Sequence, residues 1–189
     1  MNYKNYKVLS YLLSAPMVAL YVTIIFSLLS PIGLGSIDVF SSIVIGLVFL
    51  VLIPMSSVYY FNKKDIEVRK KEERTKLYLI SIVSYLTCSA IFWILNSHIM
   101  FVISMAYVFV SSAVSVINIF WKISAHSAGV AGPTTALVYV FGLNLIPLYI
   151  LTLIVFWIRL KIKAHNILQL ITGTIVAIFI TSLVYTILW

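Results

Sequence analysis

The stretch "VLSYLLSAPMVALYVTIIFSLLSPIGLG", residues 8–35, contains no charged side chain and closes on Pro31, Gly33 and Gly35. Its apolar part, Val8 to about Ser30, exceeds the roughly 20 apolar residues needed to cross a ~30 Å hydrocarbon layer. Lys4 and Lys7 precede it. The run is longer than the core of a secretory leader and has no small-residue cleavage site, so it predicts a retained membrane span.

The whole chain reads the same way. Its 189 residues are 62% hydrophobic and 10% charged, with a mean hydropathy of +1.12, whereas soluble domains carry about 25% charged residues. Apolar runs recur near 8–30, 38–60, 77–96, 99–120, 124–142, 147–163 and 167–188. Runs this long and uniform are helices, not the ~10-residue alternation of barrel strands, and helices satisfy their own backbone in lipid. The expected fold is therefore all-α: one polytopic membrane bundle of six to seven transmembrane helices over residues 1–189, with no separate soluble domain. Seven spans is the direct count, and six plus a re-entrant piece is the alternative. Pro147 suits a first helical turn, and Pro133 either kinks the fifth span or marks a later start. Cys88 is the single cysteine, so no intramolecular disulfide forms.

Charge placement is lopsided. Threading seven spans puts all 13 lysines and arginines on one side: Lys4, Lys7, the 61–76 loop, Lys122, Arg159, Lys161 and Lys163. By the positive-inside rule that side is cytoplasmic, which places the N-terminus inside the cell membrane and the C-terminus outside. Basic residues at such a boundary also attract anionic head groups, and that role suffices for Lys4, Lys7, Lys63 and Lys64. The basic residues line a membrane face, so a nucleic-acid partner is not expected despite a pI of about 9.6.

Three polar clusters fall on that side: Asp65, Arg69 and Arg74 in "KKDIEVRKKEERTK"; Lys122, Ser124 and His126 in "WKISAHSAG"; Arg159, His165 and Gln169 in "RLKIKAHNILQ". His126 stands with Ser124, Ser127 and Gly129 at what reads as a helix start, where free backbone N–H groups favour an anion. The alternative for Gly129 and Gly132 is close helix packing. His165 and Gln169 are four apart, so they share a helix face. The glutamine oxygen can accept the Nδ1 proton and leave Nε2 as a nucleophile or base. His98, alone in a turn on the other side, reads as an interfacial polar residue.

"KISAH" followed by "RLKIKAHNILQLITG" resembles the membrane-embedded type 2 phosphatidic acid phosphatase superfamily, over about residues 60–175. Ser124 and His126 match its second motif, with Ile123 and Ala125 in place of proline and glycine. Arg159 and His165 match the third, with Ile158 for serine and Gln169 for aspartate; Gly173 also fits. In the first motif Arg74 is followed by Thr75 in place of proline, and Glu67 replaces the lysine. The arrangement is similar to a divergent prokaryotic branch.

The resemblance implies metal-independent hydrolysis of a lipid phosphate or polyprenyl diphosphate without a cofactor. It makes His165 the nucleophile that forms a phosphohistidine, His126 the acid and base, and Gln169 the residue that orients His165. Arg159, Ser124, Lys122, Arg74 and Arg69 would hold phosphate oxygens, with Asp65 as a substitute anion or a partner of Arg69. Only five acids are present, with no carboxylate cluster for Mg²⁺, so cationic side chains must neutralise the transferring group. A neutral Gln169 fixes the ring but stabilises an imidazolium less than a carboxylate would. Two other classes remain open: a lipid-phosphate binder or transporter, and a structural membrane protein whose basic belt only orients it.

Overall fold

The computed structural model describes residues 3–61 and 71–189. Asp65, Glu67 and Arg69 lie outside the described residues, as do Lys63 and Lys64. Within them the chain forms helices and no strand: α1 (Tyr3–Leu12), α2 (Ala15–Leu29), α3 (Val39–Gly46), α4 (Ile53–Phe61), α5 (Lys71–Ile94), α6 (His98–Phe120), α7 (Ala125–Phe141), α8 (Ile150–Lys161) and α9 (Ile167–Leu188). Leu47–Leu52 continues α3 into α4 as π-helical turns, and Leu143–Tyr149 leads into α8 as a 3₁₀ segment.

The distribution of side chains is that of a membrane protein. Large apolar residues such as Phe40, Trp93, Phe120 and Leu143 face outward. Serines and threonines are buried between helices, where they bond one another or a carbonyl, as in Ser27–Ser42 at 2.8 Å and Ser84 to the Phe49 carbonyl at 2.6 Å. In lipid, apolar surface has nothing to hide from, and buried hydroxyls tie helices together.

Five helical segments among the described residues are long and apolar enough to cross a membrane: Val39–Tyr60, Arg74–Ile94, His98–Phe120, Leu143–Lys161 and Ile167–Leu188. A sixth arises if α1 and α2, bent by 45° at their junction, count as one span. That is below the seven counted from apolar runs. The missing one is α7: with 17 residues it is shorter than a full crossing, and most of it is buried by other helices. Pro133 does not mark a later start: α7 begins at Ala125 and runs through it.

The first apolar run is two helices. Ser14 takes an extended conformation ahead of Ala15, with a proline in the first turn of α2, the arrangement that starts a new helix. α1 packs on α8, with the Tyr6 and Trp157 rings edge to face at 5.1 Å. α7 lies against α2 on one side and α9 on the other. Glycines allow both approaches, since a Cβ at Gly129 would strike Ala15 and one at Gly173 would strike the Ser124 carbonyl and the Ser127 hydroxyl. His98 sits at the far end of the bundle, exposed, and stacks on Trp189 at 5.9 Å.

Candidate functional site

A cavity of about 980 Å³ opens among α1, α4, α5, α6, α7 and the α8–α9 break. One end is basic, with Lys7, Arg74, Lys122, Arg159, His126 and His165 on its wall; elsewhere it is lined by residues such as Ile103, Val110, Val114 and Pro133. No carboxylate lines it among the described residues. A cavity with cations at one end and greasy walls beyond suits an amphiphile with an anionic head.

Each basic-end residue is placed by its local structure. Arg74, at the start of α5, is buried, and one Nη2 donates to both the Tyr78 hydroxyl and the Ile123 carbonyl at 2.7 Å. The carbonyl bond ties α5 to the loop before α7. Arg74 Nη1 has no hydrogen-bond partner among the described residues. An uncompensated buried guanidinium nitrogen is costly, and an anion in the cavity would satisfy it. Arg159, in the last turn of α8, is buried and donates from Nη1 to Ser10 Oγ at 3.0 Å. His126, in the first turn of α7, lies among Arg159, His165 and Arg74 and hydrogen-bonds the Ser10 backbone. Lys122 donates to the Ala164 carbonyl at 2.9 Å, which braces the break that carries His165.

The His165–Gln169 pair forms, with Nδ1 and Oε1 3.0 Å apart. The same Oε1 accepts the Asn166 backbone N–H at 3.2 Å, while Asn166 Oδ1 accepts the Gln169 N–H at 2.9 Å. This is a capping box, in which two free donors at the helix start are satisfied reciprocally. It has a chemical consequence: the atom facing a backbone N–H must be the amide oxygen, so His165 Nδ1 must carry the proton. Nε2 is then left with its lone pair.

Burial is the main force that pushes His165 down to about 3, with the Arg159 charge next, against the upward pull of the Gln169 hydrogen bond. The free imidazole is therefore neutral at pH 7. The linked stability effect has a definite sign. An unfolded histidine takes up its proton near 6.5, the folded one only near 3, so stability falls as pH drops through that window.

Gln169→Glu tests this pair. Glutamate keeps both acceptances and adds a charge beside the ring, so the His165 pKa should rise and the acid-induced stability loss should shrink. Unfolding midpoints across pH 4–7 check this, and an unchanged acid profile would rule out this account of the pair.

Ser124 is placed differently from the expectation. It caps α7, its Oγ accepts the Ser127 N–H at 3.3 Å, and it does not line the cavity. Its backbone N–H donates to the Gln169 carbonyl at 3.2 Å, so its role is to dock α7 on α9. Gly129 lines the cavity and also admits Ala15 closely. Lys7, assigned from sequence only to orientation, and Ser10, not singled out at all, are on the cavity wall. Lys7, Ser10 and Tyr11, three and four apart on one face of α1, make a helical polar stripe, a signal the surrounding apolar residues dilute. No family model, curated protein or solved structure matches the chain.

Proposed function

We propose that this integral membrane protein hydrolyses a phosphate ester or diphosphate carried on a membrane lipid, through a phosphohistidine on His165. The observation that carries the reading is one amphipathic cavity in which a histidine with a free Nε2 faces a buried arginine whose Nη1 has no partner among the described residues. The bundle would then hold a core like that of type 2 phosphatidic acid phosphatases, with the lipid tail along the apolar wall. The basic end faces the cytoplasm in this reading.

In the first step His165 Nε2 attacks phosphorus and the bond to the lipid oxygen breaks. His126, which holds a proton once the bound phosphate offsets the charges of Arg159 and Arg74, gives that proton to the lipid oxygen. In the second step neutral His126 takes a proton from water, whose oxygen attacks the phosphohistidine; the N–P bond breaks and inorganic phosphate leaves. Arg74 and Arg159 meet the charge on the equatorial oxygens, which is where most of the catalysis in phosphoryl transfer lies. Gln169 holds the Nδ1–H throughout.

The test is phosphate release by the purified protein in detergent from phosphatidate, phosphatidylglycerophosphate and polyprenyl phosphates and diphosphates, with EDTA present. Release from at least one lipid that survives EDTA is expected. Phosphate binding without release from any of them would overturn hydrolysis and identify a lipid-phosphate binding protein.

A further inference from the structure

Resting on the phosphate-site reading above, we infer that the N-terminal helix α1 supplies a phosphate ligand of its own: the hydroxyl of Ser10, which donates to an oxygen of the phosphate monoester or diphosphate bound by Arg74 and Arg159. Ser10 lies outside all three clusters recognised in the sequence. It is 6% exposed and lines the cavity. Its Oγ accepts from Arg159 Nη1 at 3.0 Å, and a hydroxyl that accepts still has its own proton to give.

Among the described residues no acceptor takes that proton. Other helical serines and threonines here commonly turn back on their own helix, as Ser81 does to the Leu77 carbonyl at 2.9 Å and Ser104 to the Met100 carbonyl at 2.7 Å. Ser10 instead reaches across the bundle to Arg159, so its proton is free to point into the cavity. Arg74 Nη1 is the second uncommitted buried donor on the same wall. Two such donors beside two histidines define where an anion sits.

The fold makes α1 a wall of the site. The bend after Leu12 sets α1 at 45° to α2, and the Tyr6–Trp157 contact lays it on α8, the helix that carries Arg159. Lys7, Ser10, Tyr11 and Ser14 then face the cavity, while Val8 and Leu12 are exposed on the outside. The Ser10 backbone also bonds His126, so α1 touches the proposed acid and the proposed phosphate clamp at one residue.

Ser10 thus has two separable roles, and the experiment must tell them apart. Binding of inorganic phosphate and of dioctanoyl-glycerol phosphate is measured by thermal shift and calorimetry in detergent, on the full chain carrying His165→Ala to prevent turnover. A hydrogen bond to a charged group corresponds to a loss of about ten-fold or more when removed. Ser10→Val, which has the shape of Ser10→Thr without its hydroxyl, is expected to weaken both ligands by that factor, and Ser10→Thr to retain wild-type affinity. The loss should persist with Arg159→Lys in the same chain. Loss on inorganic phosphate alone would place Ser10 at a free-phosphate position; loss on both places it on the lipid head group.

An effect of Ser10→Val that vanishes in the Arg159→Lys background would mean that Ser10 only positions Arg159, and would overturn the inference. So would tight binding unaffected by Ser10→Val. If the parent chain binds neither ligand, the anion site itself falls, a result distinct from both.

Discussion

His165→Ala is expected to cut phosphate release by about 10⁴-fold or more, the scale seen when a covalent nucleophile is removed, while the protein remains folded. The fold should survive because His165 stands in the break between α8 and α9, whose shape rests on backbone bonds. Ala164 N–H donates to the Arg159 carbonyl at 3.0 Å, Lys163 N–H to the Leu160 carbonyl at 3.1 Å, and Lys122 holds the Ala164 carbonyl. None of these needs the imidazole. Phosphate should still bind, since Arg74 and Arg159 are untouched. The wild type exposed to substrate and quenched in base should carry an acid-labile phosphate that the variant lacks. Release by the variant within ten-fold of wild type would show that His165 does not attack phosphorus.

Gly173→Val is expected to reduce activity at least as broadly as losing a site residue, with a clear fall in the unfolding midpoint. A Cβ at this position would come within 2.5 Å of both the Ser124 carbonyl oxygen and the Ser127 hydroxyl. The carbonyl belongs to a backbone that also donates to Gln169, so it cannot move aside alone. Overpacking of this kind costs about 1–3 kcal/mol or more. The strain would separate the first turn of α7 from that of α9, and with them His126 from His165. Normal activity and stability for Gly173→Val would mean that the two helix starts are not held in register here.

Much of the layout was legible from residue order. The apolar runs map onto the helices within a few residues, because lipid demands long uninterrupted stretches and polar breaks are the only places the chain can turn. His165 and Gln169 do bond, but not as two residues on one helix face: His165 precedes the helix, and Gln169 reaches back to it from the capping box. The tautomer depends on Asn166 as well, which only the capping geometry shows. Ser124 marks the start of α7, as its surroundings indicate: its Oγ accepts from its own helix, as N-cap oxygens usually do, and it stands off the cavity wall. The division of the first run was marked by Ser14 and Pro16, yet its mean hydropathy concealed it. Lys7 and Ser10 were therefore out of view. The π-helical turns at Leu47–Leu52 left no trace in an apolar sequence.

The burial of α7 bears on how the protein is made. This segment carries His126 yet is short, rich in glycine, serine and threonine, and enclosed by α2, α6 and α9, a poor candidate to enter lipid unaided. During synthesis it emerges from the ribosome before α9 exists. Until α9 arrives, the face of α7 that Gly173 and Ala177 will cover lacks its neighbour. Closure of the basic end of the cavity is thus deferred until α9 has been inserted, so the pocket is incomplete while α7 is still being threaded into the bilayer.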